Sequence, residues 1–448
     1  LENLNGAGDY RPARYAGARD FVPYLLAGYD AIKGFTSKKS DHFEVRFRPG
    51  KEEIIVDAVL ETMEKAYEMI GKDLGYHPPE RIMVDLYPEI TMLAACSGLG
   101  MKALRTTGTI AISKFNRLLI SSPRVSKMGY AWRDTLTHEY VHLVICRVSK
   151  NTVPIWLHEG LAKFHEERWN KEPGGYLAPS LESLLGRALQ ENRLITLGEM
   201  HPSMALLPSQ EHSALAYTQV LTMVQWLHRT FGAASLAKLL RVLPEKSGDL
   251  DAAFKTVYGF NVTGLERRWR QALVQKRLRV LDEEFDDYTI LFSDSTSTTN
   301  PEREIRKLKK SKGRKMMTLG KLLKDRNHPF GAAIEFRKAA QDLGTNDVRL
   351  QNHLADCLLK IEKFGDAAMA LEPVLDRSPN WLPTRLRLAE AYMGLERYED
   401  AITQLMHAFG VNPYDPRVHV LLKVNYEKLN QPALAKQSDF YLSLMRSN

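Results

Sequence analysis

Along the first third of the chain the apolar positions change period. Phe43-Glu44-Val45-Arg46-Phe47 alternates apolar and charged residues, the period of two that a half-buried strand requires. Over 52–74, Ile55, Val59, Met63, Ala66 and Ile70 recur every three to four residues. That spacing predicts a helix with one apolar face, ended by Gly75 and the Pro78-Pro79 pair. Ile82-Met83-Val84-Asp85-Leu86-Tyr87 predicts a second strand, and 109–112 and 118–120 two more on either side of Asn116. Beyond Pro123 the period becomes helical, over 132–148, 155–169, 213–231 and 233–243, with Pro154 leading the second of these helices and Gly232 dividing the last two. A basic helix is predicted over 262–283. Upstream, residues 1–41 are rich in Tyr, Arg, Ala and Gly and predict a helical or irregular segment, with a short helix near 21–32.

The chain then changes character. Phe292-Ser293-Asp294-Ser295-Thr296-Ser297-Thr298-Thr299-Asn300-Pro301 is polar and of low complexity, which marks a linker, and a basic run follows over 303–315. From there positions repeat every 34 residues: Ala355 and Ala389, Phe364 and Tyr398, Ala367 and Ala401, Pro379 and Pro413. Phe330 and Ala333 extend the period backwards and Ala435 extends it forwards. Small residues where helices cross, an aromatic before the turn and a proline at the repeat end resemble the tetratricopeptide repeat, with about four repeats over 313–446 and the outer two degenerate as caps. The expected architecture is an α+β domain over 42–290, a small sheet plus a helical half, then a linker over 291–312 and an all-α helical-repeat domain over 313–448.

Length and composition narrow the function classes. A chain of 448 residues accommodates two or three domains. A net charge of +8 is moderately basic; it reads first as a solvated surface and second as attraction to an anionic partner. The basic residues form no aromatic-interleaved motif, so nucleic-acid binding is not expected. Cys96, Cys146 and Cys357 are far apart and odd in number, which suggests buried thiols rather than a disulfide framework. No apolar run approaches the ~18 residues of a membrane span, no signal-peptide pattern is visible, and the sequence starts at Leu1.

The chemistry concentrates at His138-Glu139-Tyr140-Val141-His142, an HExxH pattern. On a helix, positions i and i+4 share a face, so both imidazoles reach one metal ion while Glu139 stands beside them to accept a proton from water. Zn²⁺ bound there would lower the pKa of water towards about 7 and polarise a scissile carbonyl. Such a site needs a third ligand and an open fourth position. Val153-Pro154-Ile155-Trp156-Leu157-His158-Glu159-Gly160-Leu161-Ala162 brings a carboxylate on a second helix, 17 residues after His142, with room for a turn and an antiparallel return. Glu159 is the first choice; His158, His165, Glu166 and Glu167 compete, although His158 points about 100° away around the helix. Gly160 would let this helix pack close to the first.

The HExxH helix followed by Pro-x-Trp-Leu-x-Glu-Gly-Leu-Ala resembles the gluzincin metallopeptidases, in particular the "peptidase MA-like" domains fused to tetratricopeptide repeats in bacteria. The resemblance covers approximately residues 42–285. It implies a His-His-Glu zinc site of His138, His142 and Glu159, and a sheet-bearing upstream half whose edge strand lines the cleft, for which 109–112 is the candidate. It also implies a tyrosine on a later helix aimed at the oxyanion, for which Tyr217 is the candidate ahead of His201, His212 and His228. Aminopeptidases of this clan hold the substrate's free amine through a Gly-x-Met-Glu-Asn strand, which this sequence lacks. Between Glu89 and Asp134 there is no acidic residue, whereas Lys102, Arg105, Lys114, Arg117, Arg124, Lys127 and Arg133 lie there. These bases would either favour anionic substrate groups or face solvent.

The expectation is therefore a zinc-dependent peptidase acting on a peptide or protein, with Glu139 and Tyr217 catalytic and the repeats engaging a protein partner. The alternative is a repeat scaffold whose metallopeptidase-like domain is inactive or restrained. By resemblance the location is the periplasm or cell envelope, with the cytoplasm as alternative.

Overall fold

The computed structural model describes residues 29–280 and 312–446 apart from 115, 205, 206, 345 and 346. The linker and most of the basic run, like most of the short helix near 21–32, lie outside the described residues. The chain divides into two compact units; the second comprises the repeats together with the short segments Ser126–Ala131 and Ala178–Ser180.

The first unit is built on a five-stranded sheet in the order β1-β2-β3-β5-β4, with β1 Thr36–Lys39, β2 Phe43–Phe47, β3 Ile82–Tyr87, β4 Ala111–Lys114 and β5 Arg117–Ser121. β2, β3 and β5 run parallel, and the two edge strands are antiparallel to their neighbours. Parallel pairing of β2 with β3 needs a crossover, and α1, Glu53–Leu74, supplies it. The five apolar positions of its periodic stripe are all buried. β2 shows the alternation its sequence predicts, with Phe43, Val45 and Phe47 buried between half-buried Glu44 and Arg46.

Two expectations at the edges of the sheet are corrected. The α+β unit begins at β1, ahead of residue 42, and the strand was invisible because Thr-Ser-Lys-Lys is exposed throughout and carries no apolar alternation. The fourth strand is Ala111–Lys114 rather than 109–112. Two short helices precede it, α2 Ile90–Ser97 and α3 Met101–Thr107. Gly108 at φ 72° caps α3, and the Thr109 N–H closes back on the Leu104 carbonyl, so Thr109 belongs to the helix exit.

The helical half contains α4 Trp132–Ser149, α5 Ile155–His165, α6 Pro179–Gln190, α7 Gln210–Phe231, α8 Ala233–Glu245, α9 Leu250–Tyr258 and α10 Val262–Lys276. α4 is seated on the sheet through Tyr140, which is fully buried with its ring 5.6 Å from that of Phe43, edge to face. Tyr140 lies two residues, about 200° of helical turn, from both His138 and His142. Seating Tyr140 therefore turns both imidazoles to the opposite side.

The second unit carries eight described helices: α11 Lys312–Asp325, α12 Pro329–Leu343, α13 Val348–Lys360, α14 Phe364–Leu375, α15 Leu382–Gly394, α16 Tyr398–Phe409, α17 Pro416–Lys428 and α18 Pro432–Arg446. They make four helix pairs, and the periodic alanines 333, 355, 367, 389, 401 and 435 are all buried. Phe364 packs on Gly394, where a Cβ would lie 2.3 Å from its ring. Thirty residues beyond Phe330, at the equivalent place, stands Lys360. Without that glycine notch Phe330 stays 67% exposed, so the first repeat does not use its aromatic as the second does. No described helix is long and apolar enough to cross a membrane.

Candidate metal centre

Every piece of the site comes from the first unit. α4 and α5 are joined by a short turn in which Lys150 and Asn151 take positive φ, and the Asn151 N–H bonds to the Cys146 carbonyl. Pro154, extended at ψ 155°, then starts α5. Contacts between the two segments run in reversed order: Asp134 with Trp169, His138 with Glu159, His142 with His158. This is the antiparallel return expected from the spacing.

That return brings three donors to one point. A single oxygen of Glu159, Oε2, lies 3.2 Å from Nε2 of His138 and 3.3 Å from Nε2 of His142. Donors on a regular tetrahedron with zinc bond lengths of about 2.0–2.1 Å stand about 3.3 Å apart, so the cradle has the size and donor chemistry of a zinc site. One oxygen of Glu139 also lies within 4.8 Å of a ring nitrogen of each histidine. Its Oε2 is buried without a hydrogen-bond partner, while the Ser113 N–H of edge strand β4 bonds to the carboxylate. Burial raises the pKa of Glu139, and the two imidazoles oppose that shift. Burial also opposes a charge on His138, yet its hydrogen bonds to Glu159 and Glu166 raise its pKa to about 9. Burial works against charge on Glu159 too; nevertheless His142 and His138 hold its carboxyl below the usual range.

Tyr217, on α7, faces the same space. It is half-buried, its ring centroid is 6.5 Å from that of His138, and its hydroxyl bonds to Glu159. Burial, then the charges of Glu159, Glu139 and Glu166, raise its pKa well above that of a free phenol, so it stays a donor. The alternatives lie elsewhere: His201 is exposed, His212 is an exposed partner of Ser209, and His228 packs on Phe164.

The competitors of Glu159 have other partners. His165 faces Asp73 at 3.6 Å, and Glu167 holds Lys171. Glu166 binds Lys163 and lies 3.5 Å from Nδ1 of His138, behind the site. α5 stops at His165, earlier than the predicted 169, so Glu166 is already the C-cap. His158 is likewise behind the site, against His142. The 100° step that turns it from the donors buries it, and no motif announced this contact. Gly160 does permit a close approach, but to α7: a Cβ there would lie 2.9 Å from the Val220 carbonyl oxygen.

The cleft over the donors is lined by Leu99, Thr109, Ala111, Ile112, Ser203, Met204 and Tyr217 beside His138, Glu139, His142 and Glu159. The edge strand lines it, as the resemblance implied. None of the basic residues between Glu89 and Asp134 does. Arg117 pairs with Asp85, Arg124 with Glu52, Lys114 donates to the Ser97 carbonyl, and Arg133 lies over the Trp169 ring.

The Peptidase MA superfamily model matches residues 66–275, and a tetratricopeptide repeat model matches residues 358–425. No curated protein matches the chain. Similar solved structures include MamA of AMB-1, at 20% identity over 30% of this chain and 78% of that one, TM-score 0.28. A thermophilic TPR protein in Thermus thermophilus has 24% identity, covering 30% and 74%, TM-score 0.27. MamA from Desulfovibrio magneticus RS-1 has 24%, covering 33% and 87%, TM-score 0.29.

Proposed function

From a chain that joins a peptidase MA superfamily zinc metallopeptidase domain to tetratricopeptide repeats, we propose an enzyme that cleaves extended polypeptides internally, at bonds flanked by uncharged side chains. The observation that carries this reading is the single Glu159 oxygen within 3.3 Å of both histidine Nε2 atoms, at the floor of a cleft bordered by a strand edge.

His138, His142 and Glu159 would hold the zinc ion, which when bound supplies Lewis acidity towards water and the scissile carbonyl. Glu139 takes the proton of the attacking water and passes it to the leaving amine; the upward shift that burial gives its pKa suits a group that must both accept and return a proton. Tyr217 keeps its proton and donates a hydrogen bond to the developing oxyanion. An extended substrate pairs along the edge of β4, which aligns its carbonyl with the donors. Apart from Glu139 and Glu159 no carboxylate among the described residues lines the cleft, which favours a cut within the chain over one anchored on a free amine. Leu99, Ala111, Ile112 and Met204 favour small or apolar side chains beside the scissile bond. The repeats hold the protein partner from which the segment is drawn.

The test is digestion of an unfolded-protein mixture with products mapped by mass spectrometry, together with metal analysis. Wild type should carry one zinc per chain and make internal cuts between uncharged residues. Glu139→Gln should keep the zinc and lose at least about 100-fold in turnover. Full turnover in that variant, or products trimmed only from amino termini, overturns the proposal.

A further inference from the structure

Behind the donors, α4 and α5 bring together three side chains, buried His142 and His158 and half-buried Cys146, through four ring and sulfur atoms that the mechanism above does not use. Nδ1 of His142 is 2.5 Å from Nδ1 of His158, and Nε2 of His158 is 3.4 Å from Sγ of Cys146. His142 and His158 are both 2% exposed, with stacked rings 4.6 Å apart. His142 and Cys146 are one helical turn apart on α4, so α5 inserts His158 beside that turn.

We propose that His158 is a positioning residue, which fixes the tautomer and ring orientation of His142 so that its Nε2 lone pair faces the metal cradle. The argument is one of proton placement. A neutral imidazole carries one ring proton. For Nε2 of His142 to ligate, that proton must sit on Nδ1, whose only described ring neighbour at hydrogen-bond distance is Nδ1 of His158. His158 Nδ1 must then accept, which places the His158 proton on Nε2, from where it is donated to Cys146 Sγ. One assignment satisfies all four atoms and leaves His142 ready for metal. In the reverse assignment Nε2 of His142 carries a proton pointed at Glu159, and the donor is lost. His138 is backed differently, by the Glu166 carboxylate at 3.5 Å. One ligand is therefore supported by an anion and the other by a neutral ring, so the two histidines are tuned separately.

This inference rests on the zinc reading of the site, and the experiment separates the two. Zinc affinity is measured by chelator competition for wild type, His158→Phe, His158→Asn and Cys146→Ala, alongside circular dichroism and the visible spectrum of the cobalt-substituted protein. Phe keeps the ring and removes the acceptor; Asn keeps an acceptor near the position of Nδ1. Expected is a folded His158→Phe variant with zinc affinity 10–100-fold weaker and an altered cobalt spectrum. His158→Asn should recover most of the loss, to within roughly threefold of wild type, and Cys146→Ala should lose severalfold. Wild type that binds no zinc overturns the zinc reading itself. Zinc-binding wild type with equal affinity in His158→Phe, or equal losses in the Phe and Asn variants, overturns the positioning role alone. If His158→Phe does not fold, wild-type affinity and spectrum in Cys146→Ala together with a large loss in His158→Asn overturn it.

Discussion

Replacing Gly160 by alanine perturbs the site without touching a donor. A Cβ at Gly160 would stand 2.9 Å from the Val220 carbonyl oxygen and 2.9 Å from Val224 Cγ2, where ordinary contact begins at 3.4 Å. The side chain of Val224 can rotate; the carbonyl is fixed in the backbone of α7. Relief therefore requires α5 and α7 to separate by about 3.4 − 2.9 = 0.5 Å. Gly160 is the neighbour of Glu159, and Val220 lies one turn beyond Tyr217. The separation therefore opens the Glu159–Tyr217 contact directly. Overpacking costs about 1–3 kcal/mol, while alanine in a helix interior regains about 1 kcal/mol over glycine. The net loss of about 0–2 kcal/mol lowers the melting midpoint of a domain this size by at most roughly 8 °C. Geometry should suffer more than stability. Misplacement by about 1 Å can lower turnover about 100-fold, so half that shift predicts a loss on the order of tenfold in kcat at one bound zinc per chain. Peptide turnover, metal content and thermal melting of Gly160→Ala provide the measurement. Gly174→Ala is the control, because nothing lies within 4 Å of its added Cβ. Wild-type kcat in Gly160→Ala would show that the helix spacing does not set the register of Glu159 and Tyr217, and the reasoning would fail.

Further outcomes follow from the same geometry. Tyr217→Phe should keep its zinc and KM and lose about 100-fold in kcat, since one oxyanion donor is removed; a matching loss of zinc would make Tyr217 a structural partner of Glu159 instead. Glu159→Ala should lose zinc under dialysis conditions that leave wild type loaded, as read by metal analysis. Zinc at 100 times its dissociation constant stabilises by about 2.7 kcal/mol, so chelation should lower the melting midpoint of the metallopeptidase domain by roughly 5–11 °C, and an unchanged midpoint counts against the site. In the repeats, burial and then Lys324 lower the pKa of His353 to about 3, below its ordinary 6.5. Above 6.5 the folded and unfolded chains are both neutral there. As pH falls from 6.5 towards 3 only the unfolded chain takes up the proton, and stability is lost. Urea midpoints at pH 7 and pH 4.5 should therefore fall less in His353→Gln than in wild type.

The sequence made legible those parts of the molecule whose chemistry repeats or is spaced by a helix. The HExxH turn follows from helix geometry, the 34-residue alanines from the repeat unit, and the carboxylate 17 residues on from the resemblance together with the room that spacing leaves for an antiparallel return. The helices α2 and α3 were missed because eight and seven residues, each ended by a glycine, hold too few turns to show a period, although the cleft residue Leu99 lies between them. β1 was missed for the opposite reason: an exposed edge strand needs no apolar face. Gly160 was recognisable as a point of close approach, but spacing along one chain does not say which helix approaches. His158 competes with Glu159 in the sequence although adjacent helical positions diverge by about 100°, and its place behind a ligand depends on a neighbouring helix rather than on any motif.

The two ends of the sheet are unlike, and this bears on how the molecule avoids becoming its own substrate or its own fibre. An exposed strand edge recruits other extended chains indiscriminately unless something prevents it. At β1 the outer strand is short and exposed, and carries Lys38 and Lys39, tied to Asp57 and Glu44. A strand arriving from solution meets charge and a four-residue foothold there. The other edge, β4, has buried Ala111 and Ile112 and gives its Ser113 amide to Glu139. Blocking one border of the sheet while leaving the other beside the donors would turn a general hazard of β-structure into a sorting device: a chain loose enough to add as a strand is admitted only where it can be cut.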